Sequence, residues 1–292
     1  MADRLHEAAA RGSSNGSGGP AAPNDAASAT HGLRVLAIVP AHNEGETTAE
    51  VVRDIHRLAP GVDVVVVDDC SSDRTGDWAR EAGAHVLPLP VNLGIGGAVQ
   101  TGFKYAEAHG YDAVVQVDGD GQHDPAEIGL IIGPVARGEA DVLIGSRFLK
   151  KTAYKAPFAR RAGMIVFATV ARWAMRQHIT DTTSGFRALN REAYSYFARH
   201  YPTDFPDAES LVLLKRARFR LKEVSVNMRP RKRGQSSTTT LRSLYYPFKM
   251  TLSVLVVLLR QPPARPQGPD GGAPRAGESP AQEPARIEGG SR

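Results

Sequence analysis

The sequence has 292 residues, of which 41% are hydrophobic and 23% are charged, and these proportions exclude a wholly disordered chain. The single cysteine, Cys70, excludes an intramolecular disulfide framework and a cysteine-based zinc site. The formal net charge of +5 favours anionic partners such as nucleic acid, nucleotide phosphates or lipid phosphate.

Both ends of the chain have a composition that predicts disorder. Residues 1–32 are rich in Ala, Gly and Ser, and residues 261–292 are rich in Pro and Gly with almost no large apolar side chain. Neither segment can bury enough apolar area to offset the entropy of ordering it. We therefore expect the folded protein within residues 33–260. The first 32 residues show no signal-peptide pattern, and no apolar run predicts a transmembrane span.

Short β-branched runs alternate with helical patterns between residues 33 and 146. The near-continuous hydrophobicity of the first two runs is typical of strands buried on both faces. This alternation predicts a doubly wound, mostly parallel α/β sheet flanked by helices. Strands are predicted over 33–40, 62–69, 85–89, 111–118 and 140–146, and helices over 47–58, 75–82, 97–108 and 125–137.

Beyond Arg147 the pattern changes to longer, more basic segments. The spacing of apolar residues predicts a helix over 157–177, an extended segment over 181–189, a helix over 209–218 and a strand over 220–228.

The segment 238–260 is predicted as a C-terminal apolar helix. Its near-continuously apolar part has a helical length of about 15 Å, which is half of a bilayer core. We expect this helix to lie in the membrane interface or to dock on a small membrane protein, and a buried core helix is the alternative.

Polar residues cluster where four of the predicted strands end. In a parallel α/β sheet the ligand site lies beyond the carboxyl ends of the strands, so these clusters are the candidate functional residues. They are Pro40-Ala41-His42-Asn43-Glu44, Asp68-Asp69-Cys70-Ser71-Ser72-Asp73, Asp118-Gly119-Asp120-Gly121-Gln122-His123 and Gly145-Ser146-Arg147.

The third cluster has the composition of a site for a hard divalent cation. Asp118 and Asp120 flank a glycine, and Gln122 supplies a neutral oxygen two residues further on. Mg²⁺ and Mn²⁺ prefer one or two carboxylates together with substrate phosphate oxygens and water. The alternative is an acidic turn that lies in solvent without a ligand.

Two common nucleotide-binding motifs do not occur in this sequence. The glycines in 92–98 do not complete a dinucleotide fingerprint, because Val99 occupies the place of the third glycine and the loop follows the third strand. The glycines are instead expected to let a helix pack closely on the sheet. No phosphate-binding P-loop motif occurs.

Asp69 is a candidate for a nucleoside hydrogen bond, whereas Ser72 or Asp73 is expected to cap the following helix.

Basic residues concentrate in 147–176 and in 215–233. Arg147, Arg160 and Arg231 adjoin predicted loops, and arginine suits bidentate recognition of phosphate. The charges of 215–222 are interpreted as a solvated face. Nucleic acid is excluded as a partner because no nucleic-acid-binding motif accompanies the charge.

Taken together, these residues resemble the family 2 inverting glycosyltransferases of GT-A fold, in particular the dolichyl-phosphate mannosyltransferase (polyprenyl-phosphate glycosyltransferase) branch. The resemblance runs from about Val35 to Ser237. Besides the four clusters it includes Asn92 with Gly94 and Gly96, Pro157-Phe158-Ala159-Arg160, Ser184-Gly185-Phe186-Arg187 and Arg231-Lys232-Arg233-Gly234-Gln235-Ser236.

The resemblance implies a metal-dependent enzyme that moves a sugar from a GDP- or UDP-linked nucleotide sugar to a polyprenyl phosphate. It implies Mg²⁺ or Mn²⁺ as the cofactor, held by Asp118, Asp120 and Gln122. The remaining implied roles are nucleotide contacts from Pro40, His42, Asn43, Glu44, Val67, Asp69, Asp118, Gly119 and Asp120, phosphate or acceptor contacts from Arg147, Arg160, Arg187, Arg231 and Ser236, and catalytic roles for Asp118, Asp120 and Arg147.

Two positions depart from the branch. His42 stands where the branch usually has tyrosine, and Ser237 stands where lysine is common. These departures bear on base stacking and on one acceptor-phosphate contact. We expect the protein in the cytoplasm, peripherally attached to the inner face of the cell membrane.

Two alternative functions stay open. The first is a family 2 enzyme that acts on a hydroxyl of a cell-envelope glycan or glycolipid, for which Asp207 or Glu209 is the candidate general base, since a hydroxyl needs one. The second is a non-catalytic scaffold that binds a nucleotide sugar.

Overall fold

The structure, a computed structural model, describes residues 32–149, 175, 177–202, 206–229, 258, 259, 263 and 265. A 3₁₀ turn, Pro125–Glu127, precedes the helix that begins at Ile128. The strands and helices are, in chain order, β1 (Val35–Ala41), α1 (Gly45–Leu58), β2 (Val62–Asp68), α2 (Thr75–Glu81), β3 (His85–Pro88), α3 (Gly94–Ala108), β4 (Ala113–Gln116), α4 (Ile128–Ala136), β5 (Val142–Ser146), β6 (Arg187–Asn190), α5 (Arg191–His200), α6 (Pro206–Arg216) and β7 (Leu221–Ser225).

The described strands form one mixed, mostly parallel sheet in the order β3-β2-β1-β4-β6-β5-β7. The strands β3, β2, β1 and β4 run parallel to one another, as do β5 and β7. The strand β6 is antiparallel to both of its neighbours, β4 and β5. The predicted α/β class is therefore confirmed, and the sheet contains one reversed strand that the sequence pattern does not reveal.

The central strand β1 is buried along its whole length because a hydrophobic core packs on each face of the sheet. Alternate residues of β1 point to opposite faces, as the pleat of a strand requires. Ile38 belongs to the core that includes Phe103 of α3 and Phe197 of α5. Val39 belongs to the opposite core, with Val52 of α1 among its members.

The helix α5 and the short strand β6 differ from the expected elements. The sequence pattern predicts an extended segment over 181–189 and no helix between this segment and residue 209. The structure begins α5 directly after β6, because the Asn190 Oδ1 accepts a hydrogen bond from the Ala193 N–H at 2.9 Å. The buried Tyr194 and Phe197 then follow at helical spacing. A cap residue followed by this spacing is a readable signal, and the sequence analysis misses it.

Several expectations fall outside the described residues. The helix predicted over 157–177 is described only at residues 175 and 177, and the apolar segment 238–260 only at residues 258 and 259. Of the helices that the structure does describe, none has the length and apolar character needed to cross a bilayer.

Arg265 makes contacts within a segment expected to be disordered. Its guanidinium carbon lies 4.4 Å from the ring centroid of Phe219, and its side chain forms an ion pair with Glu192. A cation stacked on an aromatic face and paired with a carboxylate is stabilising. These contacts place Arg265 beside α5 and the residues before β7; disorder over 261–292 stays a prediction.

The close packing of α3 on β1 depends on Gly102. A Cβ atom added there would overlap the Cγ2 of Ile38. We expect Gly102→Ala to lower the free energy of unfolding by about 1–3 kcal/mol, the usual cost of overpacking a core. Urea unfolding measures this change.

Lys104→Ala is the matched control, since Lys104 is an exposed residue of the same helix. Surface substitutions of this kind change stability by no more than about 0.5 kcal/mol. Equal stability of the two variants would contradict the packing argument.

Candidate active site

Three of the four polar clusters lie side by side at one edge of the sheet. The neighbouring strands β2, β1 and β4 are parallel, and their carboxyl ends carry the clusters that begin at Asp68, Pro40 and Asp118. The fourth cluster follows β5, which β6 separates from β4. The topology thus brings the clusters to a common edge, as the strand pattern predicts.

The loop 118–124, which we call the aspartate loop, begins as a glycine turn pressed against the end of β1. A Cβ at Gly119 would lie 3.0 Å from the Pro40 carbonyl oxygen and 3.0 Å from a carboxylate oxygen of Glu44. Gly121 has a positive φ of 76°, which glycine adopts without strain. Both glycines are buried, whereas Asp118, Asp120 and Gln122 alternate with them and are half-buried. The three oxygen-bearing side chains are therefore each partly accessible, and Asp120 also lines the adjoining cleft.

Hydrogen bonds within the aspartate loop fix its shape. The Gln122 N–H donates to the Asp120 Oδ1 at 2.9 Å. The Asp118 N–H donates to the Nδ1 of His123 at 2.9 Å, so the proton of the neutral ring is on Nε2. That Nε2 lies 3.5 Å from the Asp118 Oδ2. His123 belongs to a quoted sequence motif without a predicted role, and the structure makes it a support of Asp118.

His123 is itself held by an aromatic contact. The ring is 1% exposed and stacks on Phe186, with ring centroids 4.8 Å apart. Phe186 precedes β6, and the Gly145 N–H donates to its carbonyl oxygen at 2.8 Å. The aspartate loop is thereby packed against the segment that joins β5 to β6.

The aspartate loop offers a partial ligand set for a hard divalent cation. Two carboxylates and one amide oxygen are the donor types that Mg²⁺ and Mn²⁺ prefer. Within the described ranges, no group of three or more His, Cys, Asp or Glu side chains converges to hold a metal ion. The remaining ligands would therefore come from water and substrate, which is the usual arrangement for Mg²⁺. The residues present fit such an ion.

Asp69 is a buried connection between three elements. Its side chain is 4% exposed, and its Oδ1 accepts a hydrogen bond from the Leu93 N–H at 2.7 Å. Its own N–H donates to the Ala41 carbonyl oxygen at 2.9 Å. Asp69 therefore ties the end of β2 to the end of β1 and to the loop before α3.

The ring of His42 is held in one tautomer. The Ser72 N–H donates to the Asn43 Oδ1 at 2.8 Å, so the Asn43 Nδ2 faces the His42 Nε2, at 3.1 Å. The Nε2 must accept this bond, and the Nδ1 then donates to the Asp69 carbonyl oxygen at 2.8 Å. Asn43 has a positive φ of 53°, a conformation that asparagine tolerates better than most residues. The ring that replaces the usual tyrosine is thus rigidly oriented.

The start of α1 is capped from another helix. The Thr75 hydroxyl accepts hydrogen bonds from the N–H groups of Glu44 at 3.0 Å and Gly45 at 2.9 Å. The N-cap of α2 is Arg74, without a side-chain cap bond, so the expectation that Ser72 or Asp73 is the cap is wrong. Asp73 instead accepts a hydrogen bond from the Thr75 N–H at 2.9 Å, one residue further on.

A cleft of about 330 Å³ opens beside Asp120; its lining is Asn43, Glu44, Gly45, Glu46, Thr47, Asp73, Trp78 and Asp120.

Arg147 is held by a buried carboxylate that the sequence analysis does not assign. The Arg147 Nε and Nη2 donate to the two oxygens of Asp181 at 2.7 and 2.8 Å. Burial raises the pKa of Asp181, but the hydrogen bonds and charge of Arg147 outweigh it and hold this pKa below its usual value. Glu223 accepts a hydrogen bond from the Asp181 N–H at 2.9 Å. No local sequence signal reveals this pair, because 34 positions separate its members.

Arg187 is a correction to the expected phosphate contacts. It is 3% exposed, and its guanidinium donates to the Ser184 carbonyl oxygen and to the Ser210 hydroxyl, both at 2.7 Å. A buried guanidinium with these internal partners supports the fold. Similarly, Val67 is fully buried, which leaves only its main chain for a nucleotide contact.

The other expected residues are placed only in part. Arg160, Arg231 and Ser236 lie outside the described residues. Asp207 and Glu209 both belong to α6, and Glu209 is half-buried.

Solved structures with the same fold support the architecture. One is the crystal structure of glucosyl-3-phosphoglycerate synthase from Mycobacterium tuberculosis in complex with Mn²⁺, UDP and glucosyl-3-phosphoglycerate, with a TM-score of 0.61 and 21% identity. The match covers 84% of this chain and 86% of that one. Another structure of the same enzyme contains Mg²⁺ and UDP, with a TM-score of 0.57. The comparison shows an α/β fold of the GT-A type.

The sequence comparisons identify the family. The profile of Glycosyl transferase family 2 matches residues 36–197, which is more than half of the chain. The chain therefore belongs to this family, and it is a glycosyltransferase.

Particular relatives narrow the resemblance. The chain is 35% identical over 173 residues to an undecaprenyl-phosphate mannosyltransferase of Micrococcus luteus, covering 55% of this chain and 68% of that protein. It is also 35% identical over 166 residues to a polyprenol monophosphomannose synthase of Mycolicibacterium smegmatis, covering 54% of this chain and 62% of that protein. The expected resemblance to polyprenyl-phosphate glycosyltransferases is confirmed.

The ion pair of Arg147 and Asp181 predicts a dependence of stability on pH. Because the pKa of Asp181 is lowered in the folded state, the pair stabilises the fold above the unfolded-state pKa of about 3.9. This stabilisation is lost as the pH falls through the lower, folded-state pKa. At pH 7 we expect Asp181→Asn to reduce the free energy of unfolding by about 2 kcal/mol. This is less than the cost of about 3–5 kcal/mol for losing one partner of a fully buried pair, because Arg147 is partly exposed to solvent.

Denaturant unfolding of both proteins from pH 7 to pH 3 tests this expectation. The difference between wild type and Asp181→Asn should shrink as the pH falls below 4. The control is Asp77→Asn, which breaks an exposed ion pair with Arg80 and should change stability by less than about 0.5 kcal/mol. A pH-independent difference would refute the ion-pair assignment.

Proposed function

We propose that this glycosyltransferase moves a sugar from a GDP- or UDP-linked nucleotide sugar to a polyprenyl phosphate, with inversion at the anomeric carbon and with Mg²⁺ or Mn²⁺ as cofactor. The observation that carries the proposal is the placement of Asp69, the aspartate loop and Arg147 at one edge of the sheet. The names of the two relatives support the choice of acceptor and of a mannosyl-type donor.

The nucleoside is proposed to bind at the ends of β1 and β2. Asp69 is buried, and its Oδ1 is already oriented by the Leu93 N–H; its carboxylate is the proposed partner of the base. His42 presents an exposed ring in a fixed tautomer. A carboxylate recognises N–H groups of a base, and a flat ring stacks on it. Asn43, Glu44 and the main chain of Pro40 complete the proposed contacts.

The diphosphate is proposed to lie over the aspartate loop. Asp118, Asp120 and Gln122 would hold the divalent ion, which when bound neutralises charge that develops on the departing diphosphate. The Gln122 N–H orients the Asp120 carboxylate before the substrate arrives, and the His123 Nε2 lies beside the Asp118 carboxylate. Gly119 keeps the turn close to β1, so the ion site and the nucleoside site adjoin.

The acceptor phosphate is proposed to lie near Arg147. A phosphate monoester has a second pKa of about 6 and is therefore already anionic near pH 7. It needs no dedicated general base, whereas a sugar hydroxyl does. Arg147, oriented by Asp181 through its Nε and Nη2, supplies a guanidinium charge suited to a phosphate. Arg160, Arg231 and Ser236 are further proposed contacts, from the sequence resemblance alone.

The acceptor is a membrane lipid, so we propose that the protein works at the inner face of the cell membrane. The segment 238–260 is the proposed attachment, either to the lipid interface or to a small membrane protein.

The function is tested by incubating the purified protein with GDP- and UDP-sugars and Mn²⁺, with and without a polyprenyl phosphate. We expect release of nucleoside diphosphate only when the lipid phosphate is present, together with a lipid-linked sugar of inverted configuration. Transfer to a polyprenol or glycolipid hydroxyl would instead favour the hydroxyl-acceptor alternative with Asp207 or Glu209. Binding of the nucleotide sugar without release in any mixture would favour a scaffold.

Asp120→Ala should abolish transfer, because it removes one of the two carboxylates proposed to hold the ion. Nucleoside diphosphate release measures the effect, and thermal unfolding checks that the variant is folded. Asp77→Asn, on the exposed face of α2, should keep full activity. Near-normal turnover of a folded Asp120→Ala enzyme that still requires Mn²⁺ would refute the assigned role.

A further inference from the structure

A segment from far along the chain is bound to the aspartate loop. Residues 226–229 follow β7, and Met228 forms an antiparallel bridge with His123. The Arg229 N–H donates to the carbonyl oxygen of Gln122 at 2.8 Å. The main chain at Gln122, one of the proposed ion ligands, is therefore held by residues more than 100 positions away.

The side chain of Arg229 joins two carboxylates on different elements. Its Nη1 donates to the Asp54 Oδ2 of α1 at 2.7 Å, and its Nη2 donates to the Asp124 Oδ1 at 2.7 Å. Asp124 is the last residue of the aspartate loop and also caps the 3₁₀ turn, through a hydrogen bond from the Ala126 N–H at 3.1 Å. All three charged side chains are partly buried, with exposed fractions of 21% to 30%.

The ion pair with Arg229 affects the ionisation of its partner on α1. Burial raises the pKa of Asp54, but hydrogen bonds and charges from Arg57 and Arg229 outweigh it and hold this pKa below its usual value. Partly buried ion pairs are screened less by salt than exposed ones. The contact between α1 and the aspartate loop is therefore an electrostatic one.

We propose that Arg229 is a positioning residue for the divalent ion: its main chain and its guanidinium fix the far end of the aspartate loop, and so hold Asp120 and Gln122 in place for the ion. This inference rests on the ion site of the proposed function. Groups that orient metal ligands commonly change metal affinity 10- to 100-fold when removed. Arginine suits this position because the donors of one planar guanidinium reach two separate carboxylates. The single ammonium group of lysine bridges two such groups less well.

Arg57 provides a matched control within the same cluster. It also pairs with Asp54, at 2.7 Å, but its side chain is 66% exposed and lies one turn further along α1. Removing Arg57 takes a cation from Asp54 while the bond between Arg229 and Asp124 is kept. A purely local effect of charge on α1 would appear equally in both variants.

The experiment titrates the full-length protein with Mn²⁺ alone and measures the free ion by its electron paramagnetic resonance signal. Arg229→Ala should weaken Mn²⁺ binding about tenfold. Arg229→Lys should weaken it less than Arg229→Ala does. The affinity of Arg57→Ala should stay within about twofold of wild type. Asp54→Asn should weaken binding in the same direction as Arg229→Ala. Thermal unfolding without metal should show that the variants are folded.

A kinetic measurement separates positioning from general damage. In nucleoside diphosphate release, Arg229→Ala should need about tenfold more Mn²⁺ for half-maximal rate, while the rate at saturating Mn²⁺ stays within about twofold of wild type. A lower rate at all Mn²⁺ concentrations with unchanged half-saturation would overturn the proposal.

The binding arm gives clear contrary outcomes. Wild-type affinity for Mn²⁺ in Arg229→Ala, equal weakening in Arg57→Ala, or no Mn²⁺ binding by the wild type would each overturn the proposal. If Arg229→Ala does not fold, Arg229→Lys and Asp54→Asn decide it, and wild-type affinity in both overturns it. Because binding is measured without substrates, failure of transfer to polyprenyl phosphate alongside the expected Mn²⁺ differences would contradict only the proposed acceptor.

Discussion

The site depends on how closely the aspartate loop is pressed against the end of β1. Gly119 brings the turn within contact of the Pro40 carbonyl and of Glu44, and hydrogen bonds to His123 and to the Asp120 carboxylate fix the shape of the loop. Asp118, Asp120 and Gln122 remain partly accessible. The turn thus carries oxygen donors that a divalent ion and a phosphate ligand would together complete.

The two histidines of the site are both held by hydrogen bonds to the main chain. Each ring has one nitrogen bonded to the main chain, which decides where the single proton resides. In His123 the ring is buried and supports Asp118, whereas in His42 it is exposed beside Asp69. The buried ring of His123 therefore has a supporting role, whereas the exposed ring of His42 is the one proposed to contact the base.

Much of the fold can be predicted from the sequence because its signals are local. Buried β-branched runs predict the parallel strands, and the polar residues after them predict the functional edge. The reversed strand β6, the burial of Arg187 and the pair of Arg147 with Asp181 depend on contacts between distant segments. Pattern alone does not determine which of several arginines faces the solvent and which finds an internal carboxylate. The link between Arg229 and Asp54 spans 175 positions and is beyond local signals for the same reason.

The stack of Phe186 on His123 has a consequence for how two reacting groups meet. Phe186 is bound to β5, and the loop that precedes it carries Asp181, the partner of Arg147. The stack therefore joins the part of the molecule that would hold the leaving group to the part that would hold the attacking one. The spacing of Asp118 and Arg147 is therefore set in part by packing inside the folded core, and it does not depend on the freedom of the two side chains alone.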